Sequence, residues 1–461
     1  MNKSNWNRRN VLKSLGLAAI GAPLAANSMN HKKQANPILF SKKDEKKLEK
    51  PVRVIVIGAG SRGWGAYSSY GLKFPDELQV VGVAEPIPYR RERISKAFNI
   101  PKENQFVTWE HVFNVPKFAD ALFITTPDDL HYGPAMAGLK AGYDLLLEKV
   151  IAQSWEQCND ILKMAEKNNS IVAVCHVLRY TPYFRKMKEI LDNKEIGEIV
   201  SIQHLEPVER IHMSHSFVRG NWGNAKKSNP MILSKSCHDT DILRWLINKP
   251  SKKVSSFGSL TLFRKEMAPE GSSDRCTNNC KVERECPYSA IKLYKEKRGW
   301  LQHLNLEEVN DITIMRELRN GPYGRCVYHC DNDVVDHQIT NFEFEDGITA
   351  AFSMEAHTHY GGRRTRIFGT NGDIIGDEHT ITVTNAVSGE QKIWDASQAQ
   401  KFASGHGGGD HGLVYDFVRA VAHQDAGILT STIQPSMESH LMGFQAEISR
   451  LQNGEVQSIN M

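Results

Sequence analysis

Acidic residues are missing from the start of this 461-residue chain. Residues 1–26 carry four basic residues and no Asp or Glu, and residues 31–50 carry seven Lys against three acids. Each stretch has a formal charge of +4, and because the whole chain also has +4, the part from Pro51 onward has −4. A slightly acidic body offers no electrostatic footprint for nucleic acid. We therefore expect no nucleic-acid partner.

A long hydrophobic run is also missing near the N-terminus. The Ala/Gly-rich segment 14–26 is shorter than the roughly 20 apolar residues that a membrane-spanning helix needs. It follows Arg8-Arg9 and Leu12-Lys13, and such a basic segment, short apolar segment and group of small residues together describe a signal peptide. The paired arginines resemble a twin-arginine signal, the route for proteins that are exported already folded. We therefore expect a periplasmic protein with no integral membrane domain.

Cysteine is absent before Cys158, which excludes a lipoprotein anchor at the N-terminus. The alternative to an export signal is an uncleaved basic tail. The Lys-rich composition of residues 27–50 is typical of a solvated linker. These features predict a signal peptide over 1–26, a linker over 27–50, and folded domains from residue 51 onward.

A strand followed by a glycine-rich turn predicts a dinucleotide site. Val52–Ile57 is a run of mostly β-branched residues, which is typical of a buried parallel strand. It leads directly into Gly58, Gly60 and Gly63, spaced as G-x-G-x-x-G at a strand-to-helix junction. The first glycine allows the tight turn, the second admits the pyrophosphate, and the third lets the helix approach the strand. The phosphates then face the helix N-terminus.

An acidic residue at the end of the next strand indicates which dinucleotide is bound. The predicted strand 79–84 ends at Glu85, where an acid binds the adenosine ribose hydroxyls. A carboxylate there repels a 2′-phosphate, so NAD is predicted over NADP. The neighbouring Arg90 and Arg91 weaken that preference.

Polar residues follow two further predicted strands. Residues 119–124 form an apolar run that ends in Thr125-Thr126-Pro127, with His131 shortly after. Residues 143–147 form another, which ends in Glu148-Lys149. Since ligands of open α/β sheets bind outside the carboxyl ends of the strands, this pattern places a lysine at the ligand crevice.

Together these motifs resemble those of the Gfo/Idh/MocA family, which includes glucose–fructose oxidoreductase and inositol dehydrogenase. The segment 179–182, Arg-Tyr-Thr-Pro, matches a motif at the family's domain junction, and 230–246, which contains His238 and Asp241, matches its catalytic helix. Residues 369–374 fit a late sheet turn of its second domain. Two positions depart from the family pattern, because Val150 replaces proline after Glu-Lys and Ser234 replaces an aspartate four residues before the histidine.

The resemblance implies an α/β fold in two parts. A Rossmann dinucleotide-binding domain is expected over 51–175, and an α/β (α+β) substrate domain with a large, open, mostly antiparallel sheet over 176–461. It further implies a nicotinamide cofactor, a sugar or cyclitol substrate, and a homo-oligomer formed through the open sheet. The motif and the resemblance together predict the cofactor site from Gly58, Gly60, Ser61, Arg62, Gly63, Glu85, Thr126, Pro127, His131, Glu148, Lys149 and Arg179.

The candidate catalytic residues lie on one predicted helix and at one strand end. Apolar spacing predicts a single helix over 231–246, with His238 and Asp241 three residues apart on one face and Lys235 one turn earlier. A histidine titrating near neutrality is the expected proton acceptor for a carbinol hydroxyl. Lys149 is expected to stabilise the developing alkoxide. Lys235 is expected to lower the pKa of a neighbouring His or Lys by like-charge repulsion, and Tyr180 is a weaker candidate.

Five cysteines in two clusters lie in a predicted insertion at about 264–330: Cys276, Cys280, Cys286, Cys326 and Cys330. They are candidate ligands for a structural zinc or an iron–sulfur cluster. Disulfides, which suit an exported chain, and free thiols are the alternatives. If 326–330 were a strand, its ends would lie about 13 Å apart, so only a turn there would let both thiols share an ion.

Three histidine pairs occur in polar segments: His212 with His215, His357 with His359, and His406 with His411. A metal site is one interpretation, and solvated or substrate-facing loops are the favoured one. The segment 405–411, Gly-His-Gly-Gly-Gly-Asp-His, is expected to open the final helix.

The sequence thus supports three hypotheses for function. The first is an NAD-dependent oxidoreductase that acts on a hydroxyl of a sugar, glycoside or cyclitol and keeps its cofactor tightly bound. The second is an NAD-dependent glycoside hydrolase that oxidises, eliminates, hydrates and re-reduces its substrate. The third is a non-catalytic sugar-binding protein on a Rossmann scaffold, against which the combination of Lys149 and His238 argues.

Overall fold

The computed structural model of this protein describes residues 36–37, 48–304, 306–397 and 404–461. The predicted signal peptide over 1–26 and most of the linker over 27–50 lie outside these residues. Asn36–Pro37 form a short strand, β1. None of the helices in the described part of the chain is long and apolar enough to cross a membrane.

The first domain contains a six-stranded parallel sheet. Its strands are β2 (Val52–Ile57), β3 (Leu78–Ala84), β4 (Gln105–Phe106), β5 (Ala121–Ile124), β6 (Asp144–Leu147) and β7 (Val172–Val174). The spatial order is β4-β3-β2-β5-β6-β7, and every neighbouring pair is parallel. The order reverses between β2 and β5, which is where a doubly wound sheet binds its ligand. The predicted Rossmann fold is therefore confirmed.

The predicted strands are buried because helices cover both faces of this sheet. Every residue of β5 and β6 is buried, as their apolar sequences require. The covering helices are a π-type segment at Ser61–Ser68, α1 (Ser69–Lys73), α2 (Pro88–Phe98), α3 (Tyr132–Lys140) and α4 (Trp155–Lys167).

The second domain contains a ten-stranded sheet, and β1 is the strand at one of its edges. Its other strands are β8 (Ile199–Pro207), β9 (Ser251–Ser259), β10 (His337–Phe344), β11 (Thr349–Glu355), β12 (Arg364–Gly369), β13 (Gly372–Gly376), β14 (Thr380–Asn385), β15 (Gln391–Asp395) and β16 (Gln457–Ser458). The order is β1-β15-β14-β13-β12-β8-β11-β10-β9-β16. Only the β1/β15 and β8/β11 pairs are parallel. The predicted large, mostly antiparallel sheet is thus confirmed.

The remaining helices follow β7 in the chain. They are α5 (Pro182–Asp192), α6 (Arg210–His212), a π-type segment at Met213–Arg219, α7 (Met231–Ser234), α8 (Cys237–Ile247), a π-type segment at Ile291–Glu296, α9 (Asp311–Asn320), α10 (Gly409–His423) and α11 (Ile433–Leu451). Turns of 3₁₀ helix occur at Lys102–Asn104, Trp109–Asn114, Asp128–Leu130, Val177–Tyr180, Lys265–Met267, Leu301–Leu304, Pro322–Gly324, Glu345–Gly347, His406–Gly408 and Ala426–Ile428.

The helix predicted over 231–246 is broken in the middle. It forms α7 and α8, with Lys235 and Ser236 between them. The Ser234 hydroxyl donates to the carbonyl oxygens of Asn229 and Pro230, each at 3.0 Å. Serine bonding back to the preceding turn bends helices, and the hydrophobic spacing does not register such a bend.

Helix α10 returns to the first domain from near the end of the chain. Its apolar residues, among them Phe417 and Val418, belong to the same buried cluster as β2 and β3. The Phe417 and Phe123 rings lie 5.9 Å apart, and Arg419 pairs with Glu77 at 3.0 Å. The expectation that 405–411 opens the final helix is wrong, because α11 follows α10.

Candidate active site

The glycine turn after β2 has the shape of a phosphate cradle. Gly58 has φ +91°, and a Cβ there would lie 2.7 Å from the Thr125 carbonyl oxygen. A Cβ at Gly63 would lie 2.1 Å from the Gly58 oxygen, so the helix needs glycine to approach the strand. At Gly60 the only neighbour is the Arg90 guanidinium at 3.8 Å, and no side chain caps the helix that begins at Ser61. An open backbone with an uncapped helix start fits a dinucleotide pyrophosphate.

Glu85 lies beside this turn, at the end of β3. Its carboxylate is 3% exposed and accepts hydrogen bonds from the backbone N–H of Ala59 at 2.8 Å and of Ile87 at 3.0 Å. The Arg91 guanidinium donates to the Glu85 carbonyl oxygen. Glu85 therefore holds the glycine turn in place, and its contact with a ribose stays a prediction.

His131 joins the ends of two strands. It is fully buried, with Nδ1 2.6 Å from the Val150 carbonyl oxygen and Nε2 2.9 Å from that of Thr126. Pro127 begins the 3₁₀ turn between Thr126 and His131. Both ring nitrogens thus contact backbone carbonyl oxygens, so His131 links the segments that follow β5 and β6.

Arg62 in the glycine turn connects three parts of the chain. Its Nε donates to Glu148 Oε1 at 2.6 Å, and its two Nη atoms donate to Asp410 at 3.0 and 3.3 Å. Tyr67 also donates to Glu148 Oε1, at 2.6 Å. Burial by itself would raise the pKa of Glu148, but the charges of Arg62 and Lys149 outweigh it and hold the pKa below its usual value. Glu148 is therefore an ionised anchor.

Lys149 reaches from the first domain to the second. Its Nζ donates to the Ser234 carbonyl oxygen at 2.5 Å and lies 5.5 Å from the Trp222 ring centroid. The Lys149–Val150 peptide bond is cis. Ser234 stands where the family usually has aspartate, so the lysine meets a backbone carbonyl there and not a carboxylate.

His238 lies in the first turn of α8 and is 7% exposed. Its Nδ1 is buried without a hydrogen-bond partner among the described residues. Burial, together with the positive charge of Lys149, lowers the pKa of His238 well below its ordinary value. The imidazole is consequently neutral near neutral pH and can accept a proton, but the expectation that this histidine titrates near neutrality is wrong, because burial and Lys149 hold its pKa well below that range.

Asp241 and Arg179 form a buried bidentate ion pair. The Arg179 Nε–Oδ2 and Nη2–Oδ1 distances are 2.7 and 2.6 Å, and both side chains are at most 2% exposed. The Tyr180 hydroxyl lies 2.9 Å from the Ser431 hydroxyl, also in the interior. These contacts tie elements of the structure together, and the predicted catalytic roles of Asp241 and Tyr180 and the predicted cofactor role of Arg179 stay predictions.

Lys235 belongs to a separate ionic network. Its Nζ lies 2.9 Å from Glu206 Oε1, and Arg363 pairs with Glu206 at 2.7 Å and with Asp239 at 2.6 Å. The expected like-charge effect falls on His212, whose pKa is lowered first by burial and then by Lys235. The cation that lowers the pKa of His238 most is Lys149, because the break before α8 removes Lys235 from its predicted helical position.

The histidine of the loop before α10 was assigned no specific role by the sequence. His406 Nδ1 lies 2.9 Å from Asp410 Oδ1, and its ring centroid is 6.0 Å from that of His238. In the sequence, the only indication of a role for His406 was an aspartate four residues later, Asp410, next to three glycines. The sequence alone cannot show that this pair lies close to His238. No group of three metal-binding side chains occurs in the described part of the chain, so a metal site at the histidine pairs has no support.

The two cysteine clusters come together in the fold. Cys276 N–H donates to the Gly324 oxygen and Cys326 N–H to the Asp274 oxygen, which pairs the two segments. Residues 326–330 form a turn, the one geometry that would allow a shared ion. All eight cysteines are nevertheless free thiols. The buried Arg219 places Nη2 4.0 Å from Cys276 Sγ, and a fixed cation there disfavours a metal cation.

Zinc and iron–sulfur ligation by these five cysteines is therefore unsupported, since no metal-binding group is found among the residues described. The buried thiols instead behave as packing residues. Burial raises the pKa of Cys326 to about 11.

Fold and site together define a dinucleotide-dependent oxidoreductase, and comparisons with known families agree. One family described as "Oxidoreductase family, NAD-binding Rossmann fold" matches residues 52–176. Its partner, described as "Oxidoreductase family, C-terminal alpha/beta domain", matches residues 188–432. The chain belongs to the Gfo/Idh/MocA oxidoreductase family.

Two proteins of Bacillus subtilis illustrate the range of its relatives. The oxidoreductase YteT is 23% identical over 385 residues, which cover 79% of this chain and 87% of YteT. The scyllo-inositol 2-dehydrogenase (NAD(+)) is 24% identical over 219 residues, covering 46% of this chain and 59% of that enzyme.

Solved structures share the whole fold. Levoglucosan dehydrogenase in complex with NADH and levoglucosan has a TM-score of 0.65 at 17% identity, covering 89% of this chain and 100% of that one. An inositol dehydrogenase homologue from Azotobacter vinelandii complexed with NAD+ has a TM-score of 0.65 at 13% identity, covering 90% and 99%. At these identities the likeness concerns the fold.

Proposed function

We propose that this protein is an NAD-dependent oxidoreductase that acts on a hydroxyl of a sugar, glycoside or cyclitol. The observation that carries the proposal is that Lys149, from the first domain, contacts the end of α7 and acts on His238 at the start of α8. Lys149 Nζ is held at the Ser234 carbonyl, one turn before His238, and it is the leading cation that lowers the pKa of that histidine. Relatives and neighbours named as inositol and levoglucosan dehydrogenases support the substrate class.

Each residue has a defined part in this chemistry. Bound NAD, held at the turn of Gly58, Gly60 and Gly63, supplies the hydride acceptor. His238 takes the hydroxyl proton, since its imidazole is neutral and buried. Lys149 donates to the same oxygen and stabilises the alkoxide as it forms. Glu85 at the end of β3 favours NAD over a cofactor with a 2′-phosphate.

Two further properties are part of the proposal. The protein is exported folded to the periplasm by the twin-arginine route, as its N-terminal sequence predicts. It also forms a homo-oligomer through the open sheet, where Phe257 of β9 and Ile339 of β10 pair in register while 56% and 49% exposed. Sedimentation of Phe257→Glu against the unaltered protein tests this, and an unchanged mass would contradict it.

The test of the function uses His238→Gln and Lys149→Met. Reduction of the bound cofactor to NADH is followed in a single turnover with inositols, levoglucosan and simple sugars, and retention of the bound NADH is followed by its fluorescence. We expect a loss of turnover of about 10²–10⁴-fold in the first variant, typical for a positioned base, with NADH binding retained in both. His423→Gln, an exposed site at the end of α10, is the matched control. Wild-type turnover in His238→Gln would overturn the assignment.

A further inference from the structure

A second imidazole lies beside His238 and has no part in the reaction described so far. The ring centroids of His406 and His238 are 6.0 Å apart, at an interplanar angle of 46°. The side chain of His406 is 41% exposed, whereas that of its partner Asp410 is 3% exposed. His406 therefore faces open space from a buried support.

The turn at Gly407 and Gly408, before α10, allows the chain to place His406 beside His238. Gly407 and Gly408 have φ values of +60° and +91°, which glycine adopts without strain. The turn folds His406 back over the first turn of α10, where its Nδ1 lies 2.9 Å from Asp410 Oδ1.

Asp410 fixes which ring nitrogen is available. Burial would raise the pKa of Asp410, but the charge of Arg62 and the hydrogen bonds from His406 and Arg62 outweigh it and hold the pKa well below its usual range. The ionised carboxylate accepts the Nδ1–H of His406, so Nε2 is left as the proton acceptor. No hydrogen bond to Nε2 of His406 occurs among the residues that the structure describes.

Arg62 couples this dyad to the rest of the site. The same guanidinium that holds Asp410 at 3.0 Å holds Glu148 at 2.6 Å, and Glu148 Oε2 accepts from the backbone N–H of Lys149. A solvated His–Asp pair at a helix start is common on protein surfaces. This pair differs, because its carboxylate is buried and also binds Arg62 in the turn of Gly58, Gly60 and Gly63.

We infer that His406, oriented by Asp410, is a second proton acceptor of the active site and removes the proton on the carbon next to the oxidised one. The inference rests on the proposed oxidoreductase function. Oxidation by NAD+ of the carbinol to a ketone acidifies the neighbouring C–H. That bond then breaks, its proton goes to His406 Nε2, and its electron pair enters an enolate.

The enolate has two fates, and both balance. It takes a proton back from His406, and because the exposed imidazole first exchanges that proton with water, solvent hydrogen enters that carbon. Alternatively the C–O bond on the next carbon breaks, and the aglycone oxygen leaves with the bonding pair and takes a proton from water. A site with two bases therefore suits a glycoside substrate and the hydrolytic cycle, whereas simple dehydrogenation needs one base.

The experiment incubates the protein and NAD+ in D₂O with p-nitrophenyl glucosides, galactosides and their N-acetylamino forms. Three readouts are taken: cofactor reduction in a single turnover, deuterium in the recovered glycoside by mass spectrometry, and nitrophenol release. Wild type and His423→Gln should give all three. His406→Gln should keep the reduction and lose deuterium incorporation by about 10²-fold or more. His238→Gln should lose reduction and exchange together.

Nitrogen NMR of labelled histidine gives a readout independent of turnover. The His406 signal, assigned by its loss in His406→Gln, should report Nδ1–H in wild type and a mixture of tautomers in Asp410→Asn. Wild-type deuterium incorporation in His406→Gln overturns the inference, and so does reduction without exchange in the unaltered protein. Absence of cofactor reduction with every sugar would instead defeat the proposed function, and the inference with it.

Discussion

At the scale of single residues, burial keeps His238 neutral and a cation from the other domain adds to the effect. Burial and the charge of Lys149 both lower its pKa well below the ordinary value of about 6.5. The proton acceptor is therefore ready throughout the neutral range, and protonation disables it only in distinctly acidic solution.

This arrangement predicts the acid limb of the pH profile. The rate at low substrate should stay level as pH falls through 6.5 and should decline only well below it. Lys149→Met removes a like charge, so the pKa of His238 should rise and the acid limb should move to higher pH. Rates from pH 4 to 8 and NMR titration of His238 measure both, with Lys194→Met at an exposed pair as the control. An acid limb that stays in place would show that Lys149 does not act on His238.

Asp241 and Arg179 give a prediction about stability. Removing one partner of a buried ion pair leaves a charge without compensation, which costs about 3–5 kcal/mol. Asp241→Asn should therefore lower the free energy of unfolding by several kcal/mol, as measured by chemical denaturation. Lys194→Met, which breaks an exposed pair, should cost less than about 1 kcal/mol. Similar losses in the two variants would contradict the structural role assigned to Asp241.

The same residues show how far sequence goes at this scale. Lys149 and His238 were identified because each belongs to a short motif whose chemistry is local. Arg62 and Asp410 are 348 residues apart in the chain, so no spacing rule relates them. Lys235 was expected to lower the pKa of a neighbouring His or Lys, and it does so at His212, a partner that no helical spacing relates to it.

At the scale of elements, four of the six parallel strands, β2, β3, β5 and β6, were predicted within about two residues. Each of these four is an apolar run that ends at a polar residue, and such runs leave little ambiguity. Residues 264–330 were predicted to be an insertion because of their clustered cysteines, and this stays a prediction; the sequence did not indicate how they pack. A fully buried arginine stands between its two cysteine segments, and sequence composition gave no sign of it.

Arg219 gives the prediction for this insertion. Its Nε donates to the Arg325 oxygen at 2.7 Å and its Nη2 to the Tyr288 oxygen at 2.6 Å, which joins both segments to the helix that ends at Arg219. Arg219→Met should make residues 264–330 sensitive to limited proteolysis while NADH binding persists. Arg298→Met, at an exposed ion pair, should leave the digestion pattern unchanged.

Thiol titration and elemental analysis of the native protein complete that test. We expect eight thiols after denaturation without reductant and no stoichiometric zinc or iron. Fewer thiols would indicate disulfides, and a bound metal would restore the site that the cysteine spacing suggested.

At the scale of the whole molecule, a helix from late in the chain packs on the first domain. Helix α10 packs on the Rossmann sheet through Phe417, and Asp410 at its start holds Arg62 of the glycine turn. The dinucleotide turn is therefore braced by a segment that follows the second domain. Sequence could not predict this return, because an apolar helix indicates that it is buried but not against which sheet.

The last prediction concerns how long NAD stays bound, and it follows from the bracing of the dinucleotide turn together with the proposed export. A protein exported folded would load NAD before leaving the cytoplasm, and outside it free cofactor should be too scarce to replace what is lost. We therefore expect NAD to stay bound through the cycle, with the hydride returned to a second carbonyl compound or to a ketone intermediate.

Nanomolar retention corresponds to about −12 kcal/mol, which is attainable when a large ligand is largely enclosed. Protein purified without added cofactor should release close to one NAD per chain on denaturation, as an enzymatic assay of the supernatant measures. Protein unfolded and refolded without NAD, as the control, should be inactive until NAD is added. A native protein that is empty, and turns over only with millimolar NAD, would contradict both the closed cycle and the export argument, because such an enzyme would stop after one turnover wherever the cofactor cannot be replenished.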